Sequence, residues 1–299
     1  MSSSTAGAAA PVTAEPRSLR LMEGESEATN SHYNQDARVF ALFLDPTLKY
    51  SSGIYLSETD DLARAQQQKL DYIAAQLGAA PGKRFLDIGC GWGSLVFHLA
   101  GKYQCEVVGL TPAPQQAEFI RARARDLGLT DRVKIEVTHF QETGFPDHSF
   151  DGASMVGSIV HMMDKASVIA ESYRVCKRRG RLYLSESCYR NHVKKQEFEG
   201  RPGSMLVSHG IFGWGDMTPV SNYVRYIEDA GFSLIGFRDL TADYHRTIED
   251  WRANLIRNKA QFETYVPGES DKYIRYFEAA NAGWGYTTKH YAVVAARSR

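Results

Sequence analysis

Apolar residues recur along this chain in two rhythms. Short apolar runs rich in Val, Ile and Phe, bounded by glycine and polar residues, alternate with longer stretches whose apolar positions return every three to four residues. The first rhythm predicts strands over residues 85–88, 106–110, 133–137, 150–156 and 181–185. The second predicts helices over 115–127, ended by Gly128, and over 166–175, ended at Arg178-Arg179-Gly180. An earlier helix opens at Asp60-Asp61, places Leu62, Ala65, Leu70, Ile73, Ala74 and Leu77 at roughly helical period, and breaks at Gly78. Beyond Pro219 the pattern gives a helix over 221–230, a strand over 232–240, an amphipathic helix over 248–262 with Trp251 and Leu255 inward, a helix over 273–280 and a last strand over 291–295. Strand–helix units repeated at this spacing predict an α/β fold, a Rossmann-like, doubly wound and mostly parallel sheet with helices on both faces.

Two stretches depart from the rhythm. Residues 1–22 are rich in Ser, Ala, Thr and Pro without an apolar core and read as a disordered lead rather than a secretion signal. Residues 189–220 carry Gly200, Gly203, Gly210, Gly213 and Gly215 among Met205, Leu206, Ile211, Phe212 and Trp214, and read as a lid inserted after the fifth strand. Residues 23–299 then form a single domain with an N-terminal helical cap at 23–80. In that cap, Val39 to Leu44 make a short apolar helix stopped by Asp45-Pro46, ahead of an aromatic loop from Tyr50 to Tyr55.

Composition narrows the field. Lys+Arg and Asp+Glu both total 35, and no face is basic, which argues against nucleic acid as the main partner. No run reaches the roughly 18 apolar residues of a membrane span. The four cysteines, Cys90, Cys105, Cys176 and Cys188, form no CxxC pair and read as free thiols in a reducing cytoplasm. No HExxH or other ligand spacing points to a metal.

The chemistry concentrates at Arg84-Phe85-Leu86-Asp87-Ile88-Gly89-Cys90-Gly91-Trp92-Gly93-Ser94, a buried strand running into a glycine turn and a helix. Glycines at alternate positions let a ligand approach the backbone closely, and the helix start offers unpaired amides. The spacing is GxGxG, neither the GxGxxG of a nicotinamide site nor a phosphate loop. In a parallel sheet ligands bind beyond the carboxyl ends of the strands, which gathers Gly89, Leu110-Thr111, His139-Phe140-Gln141, Gly157 to His161 and Ser185-Glu186 around one crevice.

These residues resemble a class I S-adenosylmethionine-dependent methyltransferase, more narrowly the cyclopropane-fatty-acid/mycolic-acid cyclopropane synthase family and its small-molecule methyltransferase relatives. The resemblance runs from about His32 to Trp251. It rests on His32-Tyr33, Phe43-Leu44-Asp45-Pro46-Thr47, Tyr50-Ser51, Leu86 to Gly93, Val107 to Thr111 with Gln116, and Tyr244 before Asp250-Trp251. It implies S-adenosylmethionine as cofactor, with Gly89, Gly91 and Gly93 beside its methionine part and Asp87 orienting the loop or binding the amino group. Thr111 and Gln116 would lie at the ribose, Phe140 and Gln141 at the adenine, and Tyr50 with Ser51 over the sulfonium side.

One departure stands out. Members of the family usually carry Glu immediately before His161, where it helps hold a bicarbonate proposed as base in the cyclopropane synthases; here the residue is Val160, and Ser185 stands where a histidine is expected. An aliphatic side chain neither accepts a proton nor anchors an anion. The expected function is therefore methyl transfer to a small apolar metabolite of specialised metabolism, at carbon ahead of nitrogen or oxygen. His161, Tyr50 and Tyr244 are the candidate catalytic residues, His161 as base with Glu186 and His139 as weaker alternates. Tyr33, Phe212 and Trp214 join Tyr50, Phe140 and Tyr244 as the aromatics able to shield a cation. The competing reading is a methyltransferase-fold protein that retains the cofactor for binding or cyclisation; a nucleic-acid methyltransferase, lacking an NPPY-type motif, comes third. A homodimer is left open.

Overall fold

The computed structural model describes residues 36–209 and 215–298. The lead, His32, Tyr33, Phe212 and Trp214 lie outside the described residues. Helix α1 (Ala37–Phe40) is followed by α2 (Leu62–Leu77), strand β1 (Arg84–Ile88), α3 (Ser94–Lys102), β2 (Glu106–Thr111), α4 (Pro114–Asp126), β3 (Val133–Val137), β4 (Phe150–Val156), α5 (Lys165–Val175) and β5 (Cys176–Tyr189). Then come α6 (His192–Phe198), α7 (Pro202–His209), α8 (Val220–Asp229), β6 (Ser233–Asp239), α9 (Thr241–Arg257), α10 (Lys259–Tyr265), α11 (Ser270–Ala282) and β7 (Thr288–Ala296). The sheet runs β3-β2-β1-β4-β5-β7-β6. Its first five strands are parallel; β7 pairs antiparallel with both β5 and β6.

Strand side chains alternate between two cores, as a period of two requires. Leu86, Ile88, Val108, Leu110, Leu182, Leu184, Val293 and Ala295 share one face with Val168, Ile169 and Val175 of α5 and Tyr223 and Ile227 of α8. Phe85, Val107, Tyr183, Ala292 and Val294 share the other with α2, α3 and α4. A third core joins α1 and the residues after it to α9, α10 and α11 through Phe40, Phe43, Trp251, Phe262 and Phe277, and Trp92 of the glycine turn belongs to it. The expected cap thus divides: residues near α1 pack with the C-terminal helices, while α2 lies on the sheet.

Three elements differ from expectation. The fifth strand is longer, because β7 pairs with it from Arg181 to Tyr189 and supplies partners for backbone beyond the parallel neighbour. The helix expected over 248–262 begins at Thr241, whose amide and hydroxyl both bond to Asp239 Oδ1. It ends at Arg257 and α10 follows, the break at Asn258 being pinned by a 2.7 Å bond from its side-chain amide to Leu42 O. The segment after β5 contains α6 and α7, which its glycines concealed.

Candidate active site

The order of strands reverses between β1 and β4, and the segments leaving β1, β2, β3 and β4 surround a cleft enclosing about 1220 Å³ of empty space, mouth included. Of the candidates, Tyr50, Gly89, Gly91, Thr111, Gln116, Phe140, Gln141 and His161 line it.

The glycine turn is held by the Gly89 and Cys90 amides, which both donate to Leu110 O at 3.0 and 2.8 Å. Gly89 has φ +78°, and a Cβ there would stand 2.4 Å from Ser158 Cβ. The Ser158 hydroxyl in turn donates to Ile88 O at 2.5 Å, so the turns after β1 and β4 interlock with no room for a side chain. Gly91, at φ +55°, has nothing within 4 Å of its missing Cβ, leaving a backbone trough that a ligand can follow. Gly93 does not line the cleft: it precedes α3 and packs against Ile120 of α4.

At the end of β2 the Thr111 hydroxyl donates to Gln116 Oε1 at 2.7 Å; the Gln116 amide nitrogen has no protein partner among the described residues and can donate to a ligand in the cleft it lines. Phe140 and Gln141 sit on a single 3₁₀ turn after β3, with the Phe140 ring buried. Asp87, on β1 behind the turn, is 1% exposed. Its Oδ1 accepts from Ser154 Oγ at 2.8 Å, while its Oδ2 has no partner among the described residues. Burial raises its pKa, against the pull of Lys49 and Ser154.

Tyr50 is braced edge-on by Phe40, Phe43 and Trp251 at ring-centre distances of 5.6, 5.6 and 5.1 Å. Ser51 is buried behind it and off the cleft wall, its hydroxyl accepting from Lys69 Nζ at 2.8 Å and its carbonyl from Gln66 Nε2 at 2.8 Å. Tyr244 also stands away from the wall. It lies in the first turns of α9, its ring packed on His290, Trp284 and Trp251 at 4.6, 5.0 and 5.9 Å, so the structure places it in an aromatic layer behind the cleft.

His161 ends the 3₁₀ turn Ile159–His161, and Met162 and Met163 extend the same wall. The turn is tied at both faces of Val160: its amide donates to Glu186 Oε2 at 3.2 Å, and its carbonyl accepts from the Asp216 amide at 2.9 Å. Lys165 links Met162 O at 2.9 Å to Asp216 Oδ2 at 3.0 Å. Glu186, an alternate base in the sequence reading, is buried under this turn rather than open to the cleft. His139, the other alternate, does line the cleft.

Burial pushes the Glu186 carboxyl up to about 7, against the hydrogen bonds from Ser187 and Val160 and the charge of Lys165. A carboxyl raised from its ordinary 4.5 contributes its full stability below pH 4.5 and loses it as the pH climbs through about 7. At about 1.4 kcal/mol per pH unit, the unfolding free energy of the native chain relative to Glu186→Gln should fall by about 3 kcal/mol from pH 4.5 to 7.5. Parallel denaturation curves of the two proteins across that range would refute this.

Sequence reasoning missed two groups. His290, on β7, is 1% exposed and bridges Ser185 Oγ at 2.9 Å and Ser187 Oγ at 3.1 Å, so an imidazole stands against Ser185 although β5 carries none. Burial and the Lys69 charge hold it neutral, down to about 3. Its signal was an inward position in an alternating strand, unreadable until β7 was paired. Lys49, also on the cleft wall, was visible as a lone charge beside Tyr50. Among the described residues no three ligand-type side chains group for a metal, the four cysteines are free and buried, and no helix is long and apolar enough to cross a membrane.

A buried carboxylate behind a glycine trough at β1, then a carboxamide after β2 and an aromatic ring after β3, suit a ligand with an amino-acid end, a ribose and a flat base. Comparison with known proteins agrees. Residues 22–292 match the family described as Mycolic acid cyclopropane synthetase. A protein of Pseudomonas putida named probable fatty acid methyltransferase is 27% identical over 263 residues, 88% of this chain and 66% of its own length, so this chain spans just under two thirds of that relative. The cyclopropane synthase MmaA2 of Mycobacterium tuberculosis superposes with TM-score 0.85 at 23% identity, covering 94% of this chain and 100% of that one. The mycolic acid cyclopropane synthase CmaA1 complexed with SAH and CTAB superposes with TM-score 0.83 at 23% identity, covering 91% and 98%. The chain belongs to the mycolic acid cyclopropane synthetase family.

Proposed function

We propose that this chain transfers a methyl group from S-adenosylmethionine to carbon in a small, apolar, lipid-like acceptor bearing an alkene or prenyl-type group, in specialised metabolism. The observation that carries this reading is the apolar part of the cleft wall. Leu48, Tyr50, Trp92, Val156, Met162 and Met163 line it, and among the described residues lining the cleft none is Asp or Glu. A cationic amine would leave water for a wall without a counter-charge, whereas an apolar chain gains by the transfer. The names of the fatty acid methyltransferase and of the CTAB-bound synthase agree with a lipid-like acceptor.

When bound, the cofactor would supply a methyl on a positively charged sulfur, with a neutral thioether as the leaving group and the acceptor's π electrons forming the new carbon–carbon bond. The chain's own residues align and shield. Gly89 and Gly91 admit the amino-acid part, Thr111 and Gln116 hold the ribose hydroxyls, and Phe140 packs on the base. Tyr50, fixed by its three aromatic neighbours, closes the sulfonium side and keeps water out. The cationic carbon left in the acceptor faces aromatic and thioether side chains and is quenched when an adjacent carbon gives a proton to His161, restoring a double bond. With Val160 in place of an acid, closure of a cyclopropane ring has less support than methylation.

Incubation with methyl-labelled S-adenosylmethionine and a panel of unsaturated acyl, prenyl, phenol and amine acceptors should place the label in a new carbon–carbon bond. Transfer confined to amines or phenols would overturn the carbon assignment. Binding without turnover on any acceptor would favour a cofactor-retaining role.

A further inference from the structure

We infer that Lys49 binds the α-carboxylate at the amino-acid end of the cofactor, opposite Asp87, so that the cleft recognises that end as a zwitterion. Lys49 is 6% exposed, yet it borders the cleft between Leu48 and Tyr50. Its backbone is fixed on both sides, the amide donating to Asp45 Oδ1 at 2.9 Å and the carbonyl accepting from Gln66 Nε2 at 3.4 Å. Among the described residues its Nζ has no hydrogen-bond acceptor and no ion-pair partner, and Asp87, Cys90 and Asp45 act on it only through space. Burial lowers the pKa of Lys49, so without a partner its ammonium tends to lose its proton, and an anionic ligand would hold it charged.

The neighbouring groups increase that demand. Lys69, fully buried, lies close enough to Lys49 for the two charges to oppose each other, and its own Nζ is already engaged by Ser51. Nothing in this pair neutralises the other. Across from them, Asp87 keeps Oδ2 unpartnered, and the Lys49 and Asp87 charges sense each other. A basic side chain on the cleft wall and a buried carboxylate behind the glycine turn therefore each keep a polar atom without a protein partner among the described residues.

This pairing selects the chemical class of ligand. A phosphate, sulfate or simple carboxylate would satisfy Lys49 while setting a second anion near Asp87. An α-amino acid group carries a carboxylate and an ammonium on one carbon and satisfies both, with charge-assisted hydrogen bonds at each end. Lys49 thereby adds to the cradle a contact that neither the glycines nor the Thr111–Gln116 pair provides.

The inference rests on S-adenosylmethionine being the cofactor, and calorimetry on the full chain separates the two questions. The native chain should bind S-adenosylhomocysteine more tightly than 5′-methylthioadenosine, which lacks the amino-acid end. Lys49→Met should weaken S-adenosylhomocysteine about 10- to 100-fold, the range for a charge-assisted hydrogen bond, and leave 5′-methylthioadenosine within about twofold. The methyl ester of S-adenosylhomocysteine should bind native and Lys49→Met chains alike. Unchanged affinity for S-adenosylhomocysteine in Lys49→Met, or equal loss for both nucleosides in a folded Lys49→Met and in Lys49→Gln, would overturn the assignment. Failure of the native chain to bind either nucleoside would remove the cofactor reading itself, and the inference with it.

Discussion

Gly89→Ala should abolish measurable binding of S-adenosylhomocysteine, a loss of at least about 100-fold, and lower the stability of the chain at the same time. The residue has φ +78°, a conformation that costs a non-glycine residue about 1–2 kcal/mol before any contact is counted. The added Cβ would then stand 2.4 Å from Ser158 Cβ, and Ser158 cannot retreat without breaking its bond to Ile88 O. The turns after β1 and β4 must separate, and both line the cleft. Gly91→Ala makes the informative comparison, because nothing lies within 4 Å of its added Cβ. It carries the conformational cost alone, about 1–2 kcal/mol, but places a methyl group at the trough and should weaken the ligand with less effect on the melting temperature. Calorimetric titration beside thermal denaturation distinguishes the two. A Gly89→Ala chain that binds within threefold of the native one would mean that the cofactor does not follow this backbone.

His161→Ala should slow turnover at least tenfold while S-adenosylhomocysteine affinity stays within about twofold. A positioned general base contributes typically about 10²- to 10⁴-fold, and tenfold is the lower bound for one partly replaceable by solvent. The side chain sits on the cleft wall at the end of a turn whose backbone is anchored by Glu186, Asp216 and Lys165. The cofactor contacts proposed above come from the loop that holds Lys49 and Tyr50 and from the segments after β1, β2 and β3, not from the turn that carries His161. Single-turnover rates with the acceptor found in the labelling panel, beside equilibrium binding, measure the two effects separately. Unchanged turnover would return His161 to the scaffold and leave His139 as the remaining imidazole on the wall among the described residues.

The parts legible in the chain were those governed by local rules. Alternation of strand and helix along residues 85–175 needs only side-chain periodicity, and β3 and β4 fall over the residues expected. The glycine turn is legible because its φ values, +78° at Gly89 and +55° at Gly91, are demands on single residues. Thr111 and Gln116 lie five apart across a strand–helix turn, and their 2.7 Å bond follows from local geometry. Tyr244 shows the opposite case. It was assigned by its place in a motif, but its position relative to the cleft depends on where α9 docks, which α1, α11 and β7 decide jointly.

By itself, then, the sequence determined the βα order, the open glycine trough and the identity of the residue at 160, an aliphatic one where an acid is usual. Tertiary structure alone decided what surrounds that residue. Glu186 reaches the Val160 amide from β5, His290 meets Ser185 across 105 positions of chain, and Lys49 comes to the cleft wall from a loop before the sheet begins. Such contacts follow strand order and register, and both are set by burying whole faces of the sheet. A one-residue slip in β7 would turn His290 to the opposite face and leave the local sequence signals unchanged.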